Sequence, residues 1–290
     1  MDRTADHGPR LALAVPGGRP TRVRVGGVEV GGHGFVVMAG PCAVEGTEQT
    51  EAAAQAVADQ GAHVLRGGVF KPRTSPYAFL GMGEPGLKVL AEAGKKRGLP
   101  VVAEVMDASQ LPMMTDYVDV LQVGARNMQN FSLLRALSKV RRPVLLKRGL
   151  AATVEEWLLA AEYLLEGGNT DVILCERGIR TFETATRNTL DLGAVVLVKQ
   201  RSHLPVIVDP SHATGARELI VPLSLAAAAA GADGLLVEVH PRPEHALCDG
   251  AQALTPQLFA ELMTKLPPVL NAVGRGLWKP ERRPSALGAP

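Results

Sequence analysis

The chain has 290 residues, a formal net charge of +2, 46% hydrophobic and only 4% aromatic residues. That length holds one large domain or two modest ones, the aliphatic composition supplies a core built on Ala, Val and Leu, and the near-neutral charge speaks against a nucleic-acid partner. Three widely spaced cysteines, Cys42, Cys175 and Cys248, argue against a disulfide framework and for a reducing compartment. No apolar run approaches the ~20 residues of a membrane span, and Met1 to Gly8 carries charges rather than the apolar stretch of a signal peptide. A cytoplasmic protein with no membrane partner is therefore expected.

Residues 1–33 divide into a loose Gly-, Pro- and Arg-rich arm over 1–22 and an alternating segment, Val23 to Val30, folded about Gly26-Gly27 as a β-hairpin. A regular alternation follows over 34–267. Near-continuous apolar runs occur at 35–40, 64–69, 101–106, 120–124, 144–147, 171–175, 206–208 and 234–239. Runs of this kind suit parallel strands buried on both faces. Helix signals lie between them. An Ala-rich helix after Thr47 stops at Gly61, and 84–97 ends at Gly98. Thr153 with Glu156 forms a capping box, 217–230 ends at Gly231, and Thr255-Pro256 supplies an N-cap with Pro at the first helical position. Eight strand–helix units predict an α/β protein, a (β/α)8 TIM barrel whose N-terminal end the hairpin caps. A doubly wound open sheet is the alternative. Residues 268–290, rich in Pro, Arg and Gly, are expected to form a weakly ordered tail.

In such a barrel the chemistry lies at the C-terminal ends of the strands. The polar residues there are Cys42; Arg66 and Lys71; Glu104; Gln122 and Arg126; Lys147 and Arg148; Glu176 and Arg177; Asp209 and His212; Glu238 and His240; and, in the last loop, Asp249. Charges in otherwise apolar strands are costly unless partnered. Arg66, Lys71, Arg126, Lys147 and Arg177 form a cation group suited to a phosphate with an adjacent carboxylate. Cys42, His212, Glu238 and Asp249 form a mixed sulfur, nitrogen and oxygen set suited to a divalent first-row metal, at spacings too wide to be diagnostic alone. The loop Lys71-Pro72-Arg73-Thr74-Ser75 adds a compact basic, hydroxyl-bearing cradle suited to a phosphate or carboxylate, with a solvated basic loop as the lesser alternative.

Seven stretches resemble one family: AGPCAVE (39–45), RGGVFKPRTSPYAFLG (66–81), QVGARNMQN (122–130), LLKRG (145–149), ILCERGIRTFE (173–183), VDPSHATG (208–215) and EVHP (238–241). They are similar to those of 3-deoxy-D-arabino-heptulosonate 7-phosphate (DAHP) synthase in its short microbial form. The resemblance implies a metal-dependent barrel that condenses phosphoenolpyruvate with erythrose 4-phosphate as the first step of the shikimate pathway. It implies a metal held by Cys42, His212, Glu238 and Asp249, with Mn2+ favoured among Mn2+, Fe2+, Co2+, Zn2+ and Cd2+. It assigns Arg66, Lys71, Arg126, Lys147 and Arg177 to phosphoenolpyruvate. Lys71, Pro72, Arg73, Thr74 and Asp249 fall to erythrose 4-phosphate, and Lys71, Glu104 and His212 to catalysis. The family's habit implies a homodimer or homotetramer, with a separate regulatory partner such as a chorismate mutase left open.

The nearest competitor is 3-deoxy-D-manno-octulosonate 8-phosphate synthase, which uses arabinose 5-phosphate and typically carries Lys-Ala-Asn-Arg-Thr-Ser in this loop. The shorter loop with Pro72 favours the four-carbon aldose. A catalytically retired barrel acting as sensor or scaffold is disfavoured because both residue sets are complete. The flanks are too short for a fused regulatory domain, so feedback inhibition by Phe or Tyr through one is not expected. Cys248 beside Asp249 raises an oxidised pair with Cys42 as an alternative to plain packing, whereas Cys175 is expected in the core.

Overall fold

The computed structural model describes residues 8–71, 75 and 77–280. Strands β1 (Val23–Val25) and β2 (Val28–Val30) form an antiparallel hairpin. The following strands are β3 (Gly34–Gly40), β4 (Val64–Arg66), β5 (Val101–Val105), β6 (Val120–Val123), β7 (Val144–Lys147), β8 (Val172–Glu176), β9 (Val206–Val208) and β10 (Gly234–Glu238). Each pairs in parallel with its neighbour, and β10 returns to β3 with Glu238 opposite Gly40. Among the described residues these eight strands thus close into a (β/α)8 barrel, and the open-sheet alternative is excluded.

The connecting helices are α1 (Thr47–Asp59), α2 (Glu84–Arg97), α3 (Leu111–Met114), α4 (Phe131–Leu137), α5 (Val154–Glu166), α6 (Leu192–Arg201), α7 (Pro210–Thr214), α8 (Arg217–Ala229) and α9 (Pro256–Ala272). The Thr153–Glu156 capping box opens α5: Glu156 donates its backbone N–H to Thr153 Oγ1 at 3.1 Å, and Thr153 donates its own to Glu156 Oε2 at 2.7 Å. No described helix is long and apolar enough to cross a membrane.

Two apolar layers explain why the strands read as unbroken hydrophobic runs. Phe35, Val37 and Ala39 of β3 face the helices, whereas Val36 and Met38 face inward with Val64, Val102, Val120, Leu145, Ile173, Ile207 and Leu236. Val23, Val25, Val28 and Val30 join that inner layer, so the hairpin plugs the N-terminal end of the barrel. Side chains alternate along a strand. Two residues past the inward Val64, Val102, Val120, Leu145 and Leu236 come Arg66, Glu104, Gln122, Lys147 and Glu238. The period of the strands therefore stacks an apolar floor beneath a ring of polar groups.

Two expectations about the flanks need correction. Over residues 8–22 the arm is docked rather than loose. The backbone amides of Arg10, Leu11 and Ala12 converge on the Glu162 carboxylate of α5, Ser202 donates to Ala12 O at 2.6 Å, and Leu13 bridges Ser202. Over 268–280 the expected weakly ordered tail instead carries α9 through Pro267-Pro268 to Ala272, followed by β11 (Gly276–Leu277) on the edge of β3. An internal Pro costs a helix ~3 kcal/mol, but Leu262, Met263, Leu266 and Leu270 are buried along one face of α9 while Pro268 points to solvent. That burial outweighs the missing bonds. Arg275 then donates to Ala232 O at 2.6 Å and Gly32 O at 3.2 Å, tying the stretch after α9 to the hairpin side of the barrel.

Candidate active site

Cys42, His212, Glu238 and Asp249 arrive from four separate segments, yet one ligand atom from each lies within 4.8 Å of all the others. Cys42 follows β3, His212 sits in α7 directly after β9, Glu238 ends β10, and Asp249 lies in the loop beyond. Cys42 Sγ is 3.2 Å from Asp249 Oδ2, and His212 Nε2 is 3.1 Å from Glu238 Oε1. The histidine presents Nε2 for a reason: Asp209 Oδ2 accepts from its Nδ1 at 2.7 Å, and Asp209 Oδ1 accepts from its backbone N–H at 2.9 Å. A carboxylate behind the ring fixes the tautomer and leaves Nε2 as a lone-pair donor. This fixed nitrogen, one thiol and two carboxylates fit a divalent transition-metal ion.

The electrostatics are tightly coupled. Burial raises the Glu238 carboxyl, but His212, Arg66 and Lys71 outweigh it and hold the group below its ordinary range. Burial likewise raises Asp249, and His212, the Cys42 thiol and Arg187 bring it down to about 2. The bond with Cys248, burial and the Glu238 charge push the Cys42 thiol well up, so binding a metal there must displace a proton. Lys71 is depressed by burial but raised overall by Cys42 and Cys248; its Nζ donates to Cys42 Sγ at 2.9 Å and Cys42 O at 2.6 Å. Gly68 permits this approach, since a Cβ there would lie 2.8 Å from Lys71 Nζ and 2.7 Å from Cys42 O.

Beside the four ligand residues opens a cavity of about 200 Å³ lined by Lys71, Glu104, Arg126, Lys147, Arg177 and His212, among others. Four of the five cations expected to hold an anion line it. Arg66 does not; its Nη1 lies beneath, donating to Glu238 Oε1 at 3.0 Å and Pro41 O at 2.9 Å. Arg177 is buried, its guanidinium destabilised by that burial, and its Nη1 finds no partner among the described residues. An unpartnered buried cation on a cavity wall is costly until an anion enters. Glu104 accepts from Gln122 Nε2 at 3.1 Å, and Gly124 makes room for it, because a Cβ there would fall 2.2 Å from Glu104 Oε1. Pro72, Arg73 and Thr74 lie outside the described residues.

The sequence pattern of the DAHP synthetase I family matches residues 20–271. The chain belongs to the DAHP synthetase I family. A phospho-2-dehydro-3-deoxyheptonate aldolase of Thermotoga maritima is 52% identical over 254 residues, covering 88% of this chain and 75% of the relative. The crystal structure of a Thermotoga maritima DAHP synthase superimposes with a TM-score of 0.89 at 50% identity, covering 93% of this chain and 79% of the other. A 2-dehydro-3-deoxyphosphooctonate aldolase of Syntrophotalea carbinolica is 32% identical over 254 residues, covering 81% of this chain and 91% of the relative. The DAHP synthase relative is thus well nearer than the octulosonate one.

Against this family background, several residues stand out that sequence reasoning had not assigned. Arg180, Arg187 and Asn188 also line the cavity. They fall in the long loop after β8, where the residues from Ile179 to Thr189 fold back as an antiparallel bridge. A cluster of two arginines and an asparagine in a segment with no helical period was the available signal. In the sequence Asp209 is legible only as a polar strand end; its part behind His212 emerges in three dimensions. Cys248 lies 3.2 Å from Cys42, sulfur to sulfur, and 3.3 Å from Asp249 Oδ2. Cys175 is fully buried inside the barrel, as expected.

Proposed function

We propose that this chain is a 3-deoxy-7-phosphoheptulonate synthase that condenses phosphoenolpyruvate with erythrose 4-phosphate to DAHP and phosphate, using one divalent metal ion at Cys42, His212, Glu238 and Asp249. The observation that carries the reading is Arg177, buried, with its Nη1 lacking a partner among the described residues, on a cavity wall shared with Arg126 and Lys147 and directly beside that four-residue set. When bound, the metal would supply Lewis-acid polarisation of the aldose carbonyl, with Mn2+ the first candidate.

The residues take the following parts. Arg126, Lys147 and Arg177 hold the phosphate and carboxylate of phosphoenolpyruvate, and Arg66 acts from below through Glu238. C3 of phosphoenolpyruvate attacks the aldehyde carbon of the aldose. Lys71, kept as an ammonium by its neighbours, delivers a proton to the developing alkoxide. Glu104, at the cavity wall, takes a proton from the water that adds to C2. The resulting hemiketal phosphate expels phosphate and leaves the C2 ketone. Arg73 and Thr74 are assigned to the aldose phosphate, with Lys71, Pro72 and Asp249 completing that side. The protein is proposed to act in the cytoplasm as a homodimer or homotetramer, open to control by a separate partner, with 34–267 as its catalytic unit.

The test is product identification after incubation with phosphoenolpyruvate and each aldose phosphate, with and without chelator. DAHP and one equivalent of phosphate are expected from erythrose 4-phosphate, lost on chelation and restored by Mn2+. Preferential turnover of arabinose 5-phosphate would overturn the substrate assignment. Inactivity with both after metal reloading would favour a retired barrel.

A further inference from the structure

The loop that carries Asp249 contains a second built feature. Asp249 is the one described non-glycine residue in the left-handed region, with φ 53°. It opens a single 3-10 turn, Gly250–Gln252, closed by the Gln252 N–H on Asp249 O at 3.1 Å. The chain then runs back along β10: Leu254 donates to Glu238 O at 2.8 Å, and His240 donates to Leu254 O at 3.0 Å. This pairing sets the register of the returning loop against the strand end and brings Gln252, only 2% exposed, onto the Glu238 side chain. Gln252 Nε2 donates to Glu238 Oε2 at 2.6 Å. Its other end is also committed, since Gln252 Oε1 accepts from Arg187 Nη1 at 2.9 Å. Because Arg187 only donates, the amide cannot flip. Gln252 must therefore present its NH2 to Glu238.

The two oxygens of Glu238 are thereby told apart. Oε1 meets His212 Nε2 and Arg66 Nη1, on the ligand side, and Oε2 is held by Gln252. A carboxylate pinned at one oxygen offers the other in a single direction, which is how outer-sphere groups orient metal ligands. Arg187 adds a second tie, lying 3.6 Å from Asp249 Oδ1 while bonded to Gln252.

We propose that Gln252 is a positioning residue of the metal centre: locked by Arg187, its amide holds Glu238 Oε2 so that Oε1 faces the ion, and one short turn thus supplies both the ligand Asp249 and the clamp on the ligand Glu238. The inference rests on the metal reading of Cys42, His212, Glu238 and Asp249.

The experiment compares wild type with Gln252→Leu, which keeps the bulk and removes both bonds, and Gln252→Asn, which keeps the amide but shortens its reach. Co2+ affinity is measured by chelator competition on the full chain. The thiolate-to-cobalt absorption band, the metal-free melting temperature, kcat and the KM for phosphoenolpyruvate are recorded alongside. One Co2+ per wild-type chain is expected, with roughly ten- to a hundredfold weaker binding in Gln252→Leu. An altered cobalt band, a lower kcat and an unchanged KM for phosphoenolpyruvate are expected with it, and Gln252→Asn should fall between. Wild-type affinity and spectrum in Gln252→Leu would overturn the clamp while leaving the metal reading standing. Affinity losses that merely track a lower metal-free melting temperature in both variants would make Gln252 a packing residue and also overturn it. Failure of wild type to bind Co2+ would overturn the metal reading itself, and the clamp with it.

Discussion

Replacing Asp209 with Asn is expected to cost both metal affinity and stability, by routes that can be separated. Asp209 is fully buried; burial alone would raise its carboxyl, but His212 and Lys147 hold it well below the ordinary range. Its Oδ2 accepts from Lys147 Nζ at 2.5 Å and His212 Nδ1 at 2.7 Å, while Oδ1 accepts from His212 N at 2.9 Å. Asn has the same shape, so no cavity opens. If its oxygen stays on the His212 backbone amide, its NH2 faces two donors. Relief requires the imidazole to move its proton to Nε2, the nitrogen that faces Glu238. Loss of an outer-sphere carboxylate typically weakens a metal site ten- to a hundredfold. The neutral amide also leaves Lys147, 3% exposed, without its counter-ion. Breaking one side of a buried pair costs about 3–5 kcal/mol, or a fall of roughly 10 °C in melting temperature for a chain of this size.

Calorimetry on the metal-free protein reads the second effect, and Mn2+ titration reads the first. Adding Lys147→Met to Asp209→Asn removes the stranded ammonium. The double variant should regain much of the lost stability while metal affinity stays low. An Asp209→Asn protein that binds Mn2+ as tightly as wild type would refute the tautomer argument. A double variant no more stable than Asp209→Asn would refute the account of Lys147.

Two further outcomes follow, one from a histidine outside the reaction path and one from the ligand thiol Cys42. His63 accepts from Val37 N at 2.8 Å through Nδ1 and donates through Nε2 to Trp278 O at 3.1 Å, and burial lowers it to about 4. Its unfolded value is near 6.5, so between about pH 6.5 and 4 the unfolded chain binds the extra proton. The neutral ring's contribution is whole above that window and is lost as pH falls through it. In denaturant titrations His63→Gln should flatten the pH dependence of stability by up to about 1.4 kcal/mol per pH unit there; an unchanged slope would exclude His63 as its source. In the metal-free protein, the approach of Cys42 to Cys248 predicts that copper and air reduce the titratable thiols from three to one. Bound Mn2+ should protect them and Cys248→Ser should keep both of its thiols, whereas persistence of all three in wild type would exclude the pair.

The fold was legible because parallel strands buried on both faces leave unbroken Val, Leu and Ile runs, and because glycine stops and caps punctuate the helices between them. The flanks were misread for a related reason. Pro267-Pro268 signals a break locally, while the burial of Leu266 and Leu270 that carries α9 onward is a tertiary fact. The Gly- and Pro-rich arm likewise has little period of its own, and its residues 10–12 are held by Glu162, far along the chain. At the site, charge gave the ligands and cations away, since Arg66, Lys147 and Glu238 are conspicuous in apolar strands. Gln252 carries no charge and sits in a turn, so nothing local distinguishes it from a solvated loop glutamine. Only the pairing of Leu254 with Glu238 and His240 reveals where its amide goes.

The division of the site into a cation group and a metal group, natural from sequence, does not survive in space. Arg66 bonds to Glu238, Glu238 meets His212, His212 rests on Asp209, and Asp209 holds Lys147. Lys71 meanwhile lies on Cys42. Two of the metal ligands, Glu238 and Cys42, are thus paired with residues expected to contact the enol donor, and His212 reaches a third, Lys147, through Asp209. In the metal-free protein the cations stabilise the ligand carboxylates; an incoming dication then competes with them for the same oxygens. Metal loading should therefore loosen Lys71, which lines the cavity, from Cys42 just as an anionic substrate needs it. The two halves of the site are coupled through shared carboxylate oxygens and one thiol. By linkage, the metal should tighten phosphoenolpyruvate binding and phosphoenolpyruvate should tighten metal binding by the same factor.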